Sequence, residues 1–161
     1  PGYRYLSHTF GTNWRLSEVQ AAVGRLQLQK LPGWLEQRRR NALTLTERFA
    51  DVPGLRVPLP EQKHAFYKLY AYLDPARFNS GWDRERILTE AARAGVPLFT
   101  GTGAEIYREK AFAEFGQQPV LKTARRLGET SLMFLVHPTL QEEDMLFMAD
   151  RLRPVFDAAL S

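Results

Sequence analysis

Residues 64–73 read His-Ala-Phe-Tyr-Lys-Leu-Tyr-Ala-Tyr-Leu, and this alternation is the tightest local constraint in the chain. Tyr67, Leu69, Ala71 and Leu73 fall on one side; Phe66, Lys68, Tyr70 and Tyr72 fall on the other. A period of two with aromatic enrichment specifies a strand. One strand cannot bury its apolar face alone, so the rest of the chain must supply a sheet and a layer to cover it.

Helical periodicity supplies that layer. Ser17-Glu18-Val19-Gln20 fits a capping box, in which Ser and Gln each satisfy a free N–H of the first turn. Val19, Ala22, Val23 and Leu26 then recur at helical spacing. Pro32-Gly33 predicts a break, followed by a second helix over 34–49 with Leu35, Ala42, Leu45 and Phe49. Val52-Pro53-Gly54 reads as a turn. After the strand, Asp83 caps a helix carrying Ile87, Leu88, Ala91 and Ala94, stopped by Gly95. A short strand over 96–99 leads into Thr100-Gly101-Thr102-Gly103, and a short helix spans 119–128, proline in and glycine out. Residues 131–136 are a buried strand. Thr139-Leu140-Gln141-Glu142 is a second capping box, opening a last helix with Met145, Met148, Ala149, Leu152, Val155 and Phe156 on one stripe. Pro154 should kink that helix near its end. The order predicts an α+β fold: a small two-layer domain with a mixed sheet of about three strands, helices on one face, preceded by long helices.

The chain has 161 residues, enough for one domain with a core. No apolar run approaches the roughly 18 residues of a membrane span, so no membrane partner is expected. There is no cysteine, which removes disulfides and thiolate metal sites and fits a cytoplasmic protein. The net charge is +4, densest at Arg38-Arg39-Arg40. That run lies inside a helical pattern with Glu36, Glu47 and Asp51 around it. It reads as a solvated helix face, able also to guide an anionic substrate, and not as a nucleic-acid surface.

Few residues carry chemistry. His8, His64 and His137 lack the spacing of helical metal ligands. No nucleophile elbow, P-loop or dinucleotide glycine pattern occurs. The loop around Gly101 and Gly103 is either a turn needing positive φ or a close backbone approach to a ligand. The sharper signal is Gly11-Thr12-Asn13-Trp14-Arg15-Leu16-Ser17-Glu18-Val19-Gln20-Ala21-Ala22-Val23-Gly24, with Gln27-Leu28 beyond. It places an amide and a guanidinium just ahead of a helix N-terminus, which suits a phosphate. On physics alone, a capping loop with a surface arginine is the favoured reading of these residues.

The stretch from Gly11 to Leu28 resembles the G-Y-N-x-R-[ML]-x-E-x-Q-A-A-x-x-x-x-Q-L signature of the DegT/DnrJ/EryC1/StrS family, fold-type I pyridoxal-phosphate (PLP) enzymes that make amino sugars. Gln37-Arg38-Arg39-Arg40-Asn41-Ala42 and Leu135-Val136-His137-Pro138-Thr139-Leu140 agree more weakly. The resemblance implies a nucleotide-linked keto-sugar as amino acceptor, an amino acid, usually glutamate, as donor, PLP as cofactor, and a homodimer, in the assembly of polysaccharide or glycosylated metabolites. It also implies that this is the carboxy-terminal part of a longer enzyme. Residues 1–50 would be a crossing segment and interdomain helices, and 51–161 the small domain. The family's Schiff-base lysine precedes the motif by a few tens of residues. Lys30, Lys63, Lys68, Lys110 and Lys122 all follow it, so no catalytic residue is expected in this chain.

Carried over singly, Asn13 matches the asparagine that reaches the PLP phosphate of the neighbouring subunit, and Arg15 matches a position facing the substrate side of that site. His137 matches a frequent His-Pro near the last strand, either a substrate contact or a structural turn. Thr12 replaces the usual tyrosine. Where many members carry a G-x-H-Y-type substrate loop, this chain has Leu98-Phe99-Thr100-Gly101-Thr102-Gly103, without the histidine. Thr100 and Thr102 are the substrate candidates there, and Glu105-Ile106-Tyr107 joins the same altered loop. The alternatives are a PLP-dependent sugar dehydratase or aromatising enzyme on the same scaffold, or a non-catalytic binding domain.

Overall fold

A computed structural model describes residues 10–11, 15–101, 103–116 and 118–161. Helix α1 (Glu18–Arg48) leads to strand β1 (Leu55–Arg56), β2 (Leu69–Leu73), α2 (Arg84–Arg93), β3 (Leu98–Thr100), α3 (Lys122–Thr130), β4 (Ser131–Phe134) and α4 (Glu142–Ala159). Short 3-10 turns lie at Pro75–Arg77, Ile106–Arg108 and Lys110–Phe115.

Leu69, Ala71 and Leu73 are buried, as the alternation requires. The strand is nevertheless half the expected length. Phe66 adopts φ +43°, which ends the extended chain, and Arg38 of α1 donates to the carbonyls of Phe66 (3.1 Å) and Tyr67 (2.8 Å). Tyr67 is thereby turned out to solvent and leaves the face it was expected to share.

The sheet has four strands in the order β1-β2-β4-β3, and every pair is antiparallel. A mixed sheet was expected from the β2–α2–β3 crossover. β2 and β3 do run in the same direction, but β4 enters between them and opposes both. The parallel strands never touch. β1 pairs Leu55 with Leu73 and adds the fourth strand.

The core lies against this sheet. Phe49 at the end of α1 stands edge-on to Phe156 of α4 (5.2 Å) and tilted to Phe134 of β4 (5.6 Å). Ala42 and Leu45 of α1, Ile87 and Ala91 of α2, and Met145, Ala149 and Leu152 of α4 complete it. Full burial of a side chain of Leu or Phe size stabilises by about 1.5–3 kcal/mol. These few positions therefore decide the packing.

α1 is one helix of 31 residues, about 46 Å long, where two were expected. Pro32 removes a single amide donor, whose acceptor would be the Leu28 carbonyl on an exposed stretch that water can serve. Its fixed φ is otherwise helical, so the flanking helix formers carry the helix through. α4 likewise runs five residues past Pro154.

Local signals fared well where the chain is regular. Ser17 and Gln20 form the expected capping box, Asp83 accepts from the Arg86 amide at 2.8 Å, and Gly95 takes φ +77° after α2. Several boundaries moved. β3 occupies Leu98–Thr100 and β4 stops at Phe134. α3 begins at Lys122 and runs past Gly128 to Thr130. α4 is capped by Gln141, whose N–H donates to Asp144 at 2.8 Å; Thr139 does not cap it.

Candidate functional site

The phosphate-suited end of α1 is narrower than its sequence implied. Gln20 N–H donates to the Ser17 hydroxyl and Ser17 N–H to the Gln20 side chain, so the cap consumes two donors. The Glu18 and Val19 amides remain. Arg15 is exposed and makes no hydrogen bond or ion pair among the described residues. A phosphate or carboxylate would fit an exposed guanidinium beside two first-turn amides. Asn13 lies outside the described residues.

Thr100 closes β3 opposite Leu132 and is half-buried. Gly101 follows, its amide donating to the Ser131 hydroxyl at 3.2 Å. Its glycine is required by close approach and not by positive φ: a Cβ there would stand 2.3 Å from Ser131 Oγ. Of the two readings of this loop, close approach holds, but to the neighbouring strand. Thr102 lies outside the described residues.

Glu105 and Tyr107 organise what comes next. Glu105 is 5% exposed and accepts from the Tyr107 hydroxyl (2.5 Å) and Arg108 (2.9 Å), with Arg125 of α3 at 3.7 Å. The Tyr107 hydrogen bond and the Arg108 and Arg125 charges hold the Glu105 carboxyl below its ordinary range, against its burial. Tyr107 is pushed up, chiefly by that same bond, because losing its proton would face a carboxylate.

His137 sits past the end of β4. Its ring Nδ1 pairs with the Thr139 hydroxyl at 2.7 Å, and its carbonyl accepts from Asn41 at 3.4 Å. Asn41 is buried on α1, donates also to the Leu140 carbonyl (3.0 Å), and accepts from Gln37 (2.9 Å). Gln37 and Asn41 are the residues sequence reasoning undervalued. The available signal was a polar amide four residues before Leu45 in a buried stripe.

Arg15 and His137, both among the described residues, stand at opposite ends of α1. His137 lies five residues beyond Leu132, at most about 16 Å of extended chain from the register position of Thr100. From Glu18 to Asn41, α1 climbs about 35 Å, which separates Arg15 from the His137 turn. The chain before Arg15 does adjoin the loop after β3, through Phe10 against Phe112. Among the described residues no group of His, Asp and Glu side chains could hold a metal ion.

Residues 1–153 match the model of the DegT/DnrJ/EryC1/StrS aminotransferase family. The chain belongs to that family. Its members are pyridoxal-phosphate enzymes. Over 98% of its length the chain is similar to an aminotransferase structure from Psychrobacter cryohalolentis, at 42% identity and a TM-score of 0.83, covering 43% of that protein. It is 29% identical over 87% of its length to the erythromycin biosynthesis sensory transduction protein EryC1 of Saccharopolyspora erythraea, covering 37% of it. It is 26% identical over 93% of its length to the UDP-4-amino-4,6-dideoxy-N-acetyl-beta-L-altrosamine transaminase of Helicobacter pylori, covering 40% of it. The chain thus spans about two-fifths of the length of these relatives. At the start of α1, the exposed first-turn amides beside Arg15 would suit a phosphate group such as pyridoxal phosphate carries. Lys30, Lys63, Lys110 and Lys122 are exposed and Lys68 is half-buried beside the Tyr67 ring.

Proposed function

We propose that this chain is the carboxy-terminal part of an aminotransferase that converts a nucleotide-linked keto-sugar to an amino sugar, with an amino acid, glutamate in the first instance, as donor. The observation that carries this reading is the Gly11-to-Leu28 motif inside a family match, with Arg15 exposed and without a partner among the described residues, ahead of a capped helix. Bound PLP would supply the electron sink on which an amino group changes partners. Asn13 would hold its phosphate and Arg15 the anionic part of the substrate; Thr100, Thr102 and His137 are the further substrate candidates. No helix among the described residues is long and apolar enough to cross a membrane, and we place the enzyme in the cytoplasm, in polysaccharide or glycosylated metabolite assembly.

A dimer is part of the proposal. On the first half of α1, Val19 (74% exposed), Val23 and Leu26 form one stripe, and Leu28 (66%) and Leu31 another, over a groove of about 460 Å3 beside Ala21 and Gly24. At 100° per residue the two stripes wrap roughly 200° of the helix, wider than a one-sided amphipathic helix needs. Such a helix asks for cover on two sides. The larger domain of the same chain and a second subunit would provide it, with 1–50 as the crossing and interdomain part and 51–161 as the small domain.

The longer enzyme carrying this chain, given PLP, a nucleotide keto-sugar and glutamate labelled with nitrogen-15, should place the label on the sugar. A product that has lost oxygen without gaining nitrogen would identify a dehydratase instead, and no turnover with salt-dependent nucleic-acid binding would identify a binding domain. Arg15→Lys keeps charge but loses the planar fork, and should raise KM for the nucleotide sugar well above any effect on the amino donor. Asn13→Ala should weaken PLP retention roughly tenfold to a hundredfold, the value of about 1.5–3 kcal/mol for one hydrogen bond to a charged acceptor.

A further inference from the structure

Nothing in the sequence pattern ties the N-terminal segment to the loop after β3, yet three phenylalanines join them. Phe10 stands edge-on to Phe112 at 5.1 Å and 86°, and to Phe115 at 6.0 Å and 73°. Phe112 and Phe115 tilt toward each other at 6.1 Å, which closes a triangle of rings. Edge-to-face geometry is favoured by the ring quadrupole and specifies orientation as well as contact.

The loop presenting Phe112 and Phe115 is clamped where it begins and where it ends. Tyr107 donates its hydroxyl proton to the buried Glu105 carboxylate and accepts the Leu121 N–H at 3.2 Å, so one phenol bridges both limbs. Arg108 from within the loop and Arg125 from α3 flank the same carboxylate. A buried carboxylate is costly unless donors surround it, and these donors surround it only while the loop keeps this shape. The connection from β3 to α3 runs over 101–121 and is built on the 3-10 turns Ile106–Arg108 and Lys110–Phe115, the second of which carries both phenylalanines.

We infer that the loop from Glu105 to Leu121 is a positioning latch for the N-terminal segment: Phe112 and Phe115 grip Phe10, the Glu105–Tyr107–Leu121 clamp holds the grip in place, and Arg15 is thereby set relative to the substrate. Five residues separate Phe10 from Arg15, at most about 17 Å of chain, so fixing one confines the other. The latch itself stands on the ring geometry; its consequence for turnover rests on the reading of Arg15 proposed above. Phe112 is a positioning residue that has not been placed at the substrate or cofactor, and Tyr107, from the altered loop, acts here through the clamp.

The test places 4-fluorophenylalanine at position 10 and reads its fluorine resonance by NMR. Phe112→Ala should move the resonance toward the free-peptide value and speed amide exchange in peptides covering 10–17 at least threefold. Phe112→Tyr, which keeps the ring, should restore both, and Phe112→Leu should not. Tyr107→Phe should move the same resonance although residue 107 does not touch Phe10; it also guards against a Phe112 variant that fails to fold. In the longer enzyme, Phe112→Ala should raise KM for the nucleotide sugar about tenfold with kcat within twofold. A Phe10 resonance unmoved by both Phe112→Ala and Tyr107→Phe, with the thermal midpoint unchanged, overturns the latch. A resonance that moves while KM does not upholds the latch and removes Arg15 from the substrate.

Discussion

Gly101 approaches Ser131 so closely that a methyl group on it would stand 2.3 Å from the Ser131 hydroxyl oxygen and 2.8 Å from the Ser131 Cβ. Both lie at the end of the β3–β4 pair, where the Gly101 amide donates to that hydroxyl. The glycine lets the chain leave β3 without pushing the strands apart.

Gly101→Ala should therefore destabilise the fold by about 1–3 kcal/mol, the usual cost of forcing an extra methyl into a packed site. Ser131→Ala should not rescue it, because the Ser131 Cβ is itself too close. Ser131→Gly should recover part of the loss. Urea denaturation of the three single and two double variants decides this; a stable Gly101→Ala protein would show that the β3 end yields freely.

Asn41 is the buried polar anchor between α1 and the His137 turn. Asn41→Leu removes one donor from each of two carbonyls: Leu140 keeps Gln37 Nε2 at 3.1 Å and His137 keeps the Leu140 N–H at 3.0 Å. The expected loss is about 1–3 kcal/mol, two hydrogen bonds at about 0.5–1.5 kcal/mol each. The denaturant slope should stay unchanged, and amide exchange should rise at 137–140 before it rises elsewhere. A loss below a few tenths would mean that water replaces the amide there.

Glu105 makes the 105–121 loop sensitive to acid. Its carboxyl sits below the ordinary value of 4.5, first through the Tyr107 hydrogen bond and then through Arg108 and Arg125. A depressed folded-state value means that its contribution is fully present above about pH 4.5 and is lost as pH falls through the lower folded value. Limited proteolysis should find the loop protected at neutral pH and cut progressively faster below that window. Glu105→Gln keeps an acceptor for Tyr107 but offers Arg108 no charge, so its cleavage should be faster at pH 7 and flat through the same range. A wild-type cleavage rate that does not change with pH would count against the clamp.

The first half of α1 should drive self-association. Apolar patches of a few hundred Å2 are already large for a monomer, and Val19, Val23 and Leu26 stand in a row at helical spacing. Sedimentation of this chain over a concentration series should show mass rising with concentration, and Val23→Glu should abolish the rise while leaving the thermal midpoint in place. Wild-type protein that stays monomeric throughout would show that the stripe needs no cover.

The residues by themselves determined most elements of this protein. The alternation ending at Leu73, the Ser17–Gln20 box, the Asp83 cap and the Gly95 stop each act within about four residues, so their geometry follows from local chemistry. The Gly11-to-Leu28 motif likewise carried the family, because its spacing is local. Tertiary structure decided what depends on the path of the chain. Arg38 reaches 28 residues on to turn out the start of the predicted strand, and Asn41 meets carbonyls nearly 100 residues away. β4 separates two strands that would otherwise have been free to pair in parallel. Phe10 finds Phe112 across the length of the fold. Each of these contacts depends on where folding carries a distant segment, and periodicity, which reports only on a residue's near neighbours, holds no record of that.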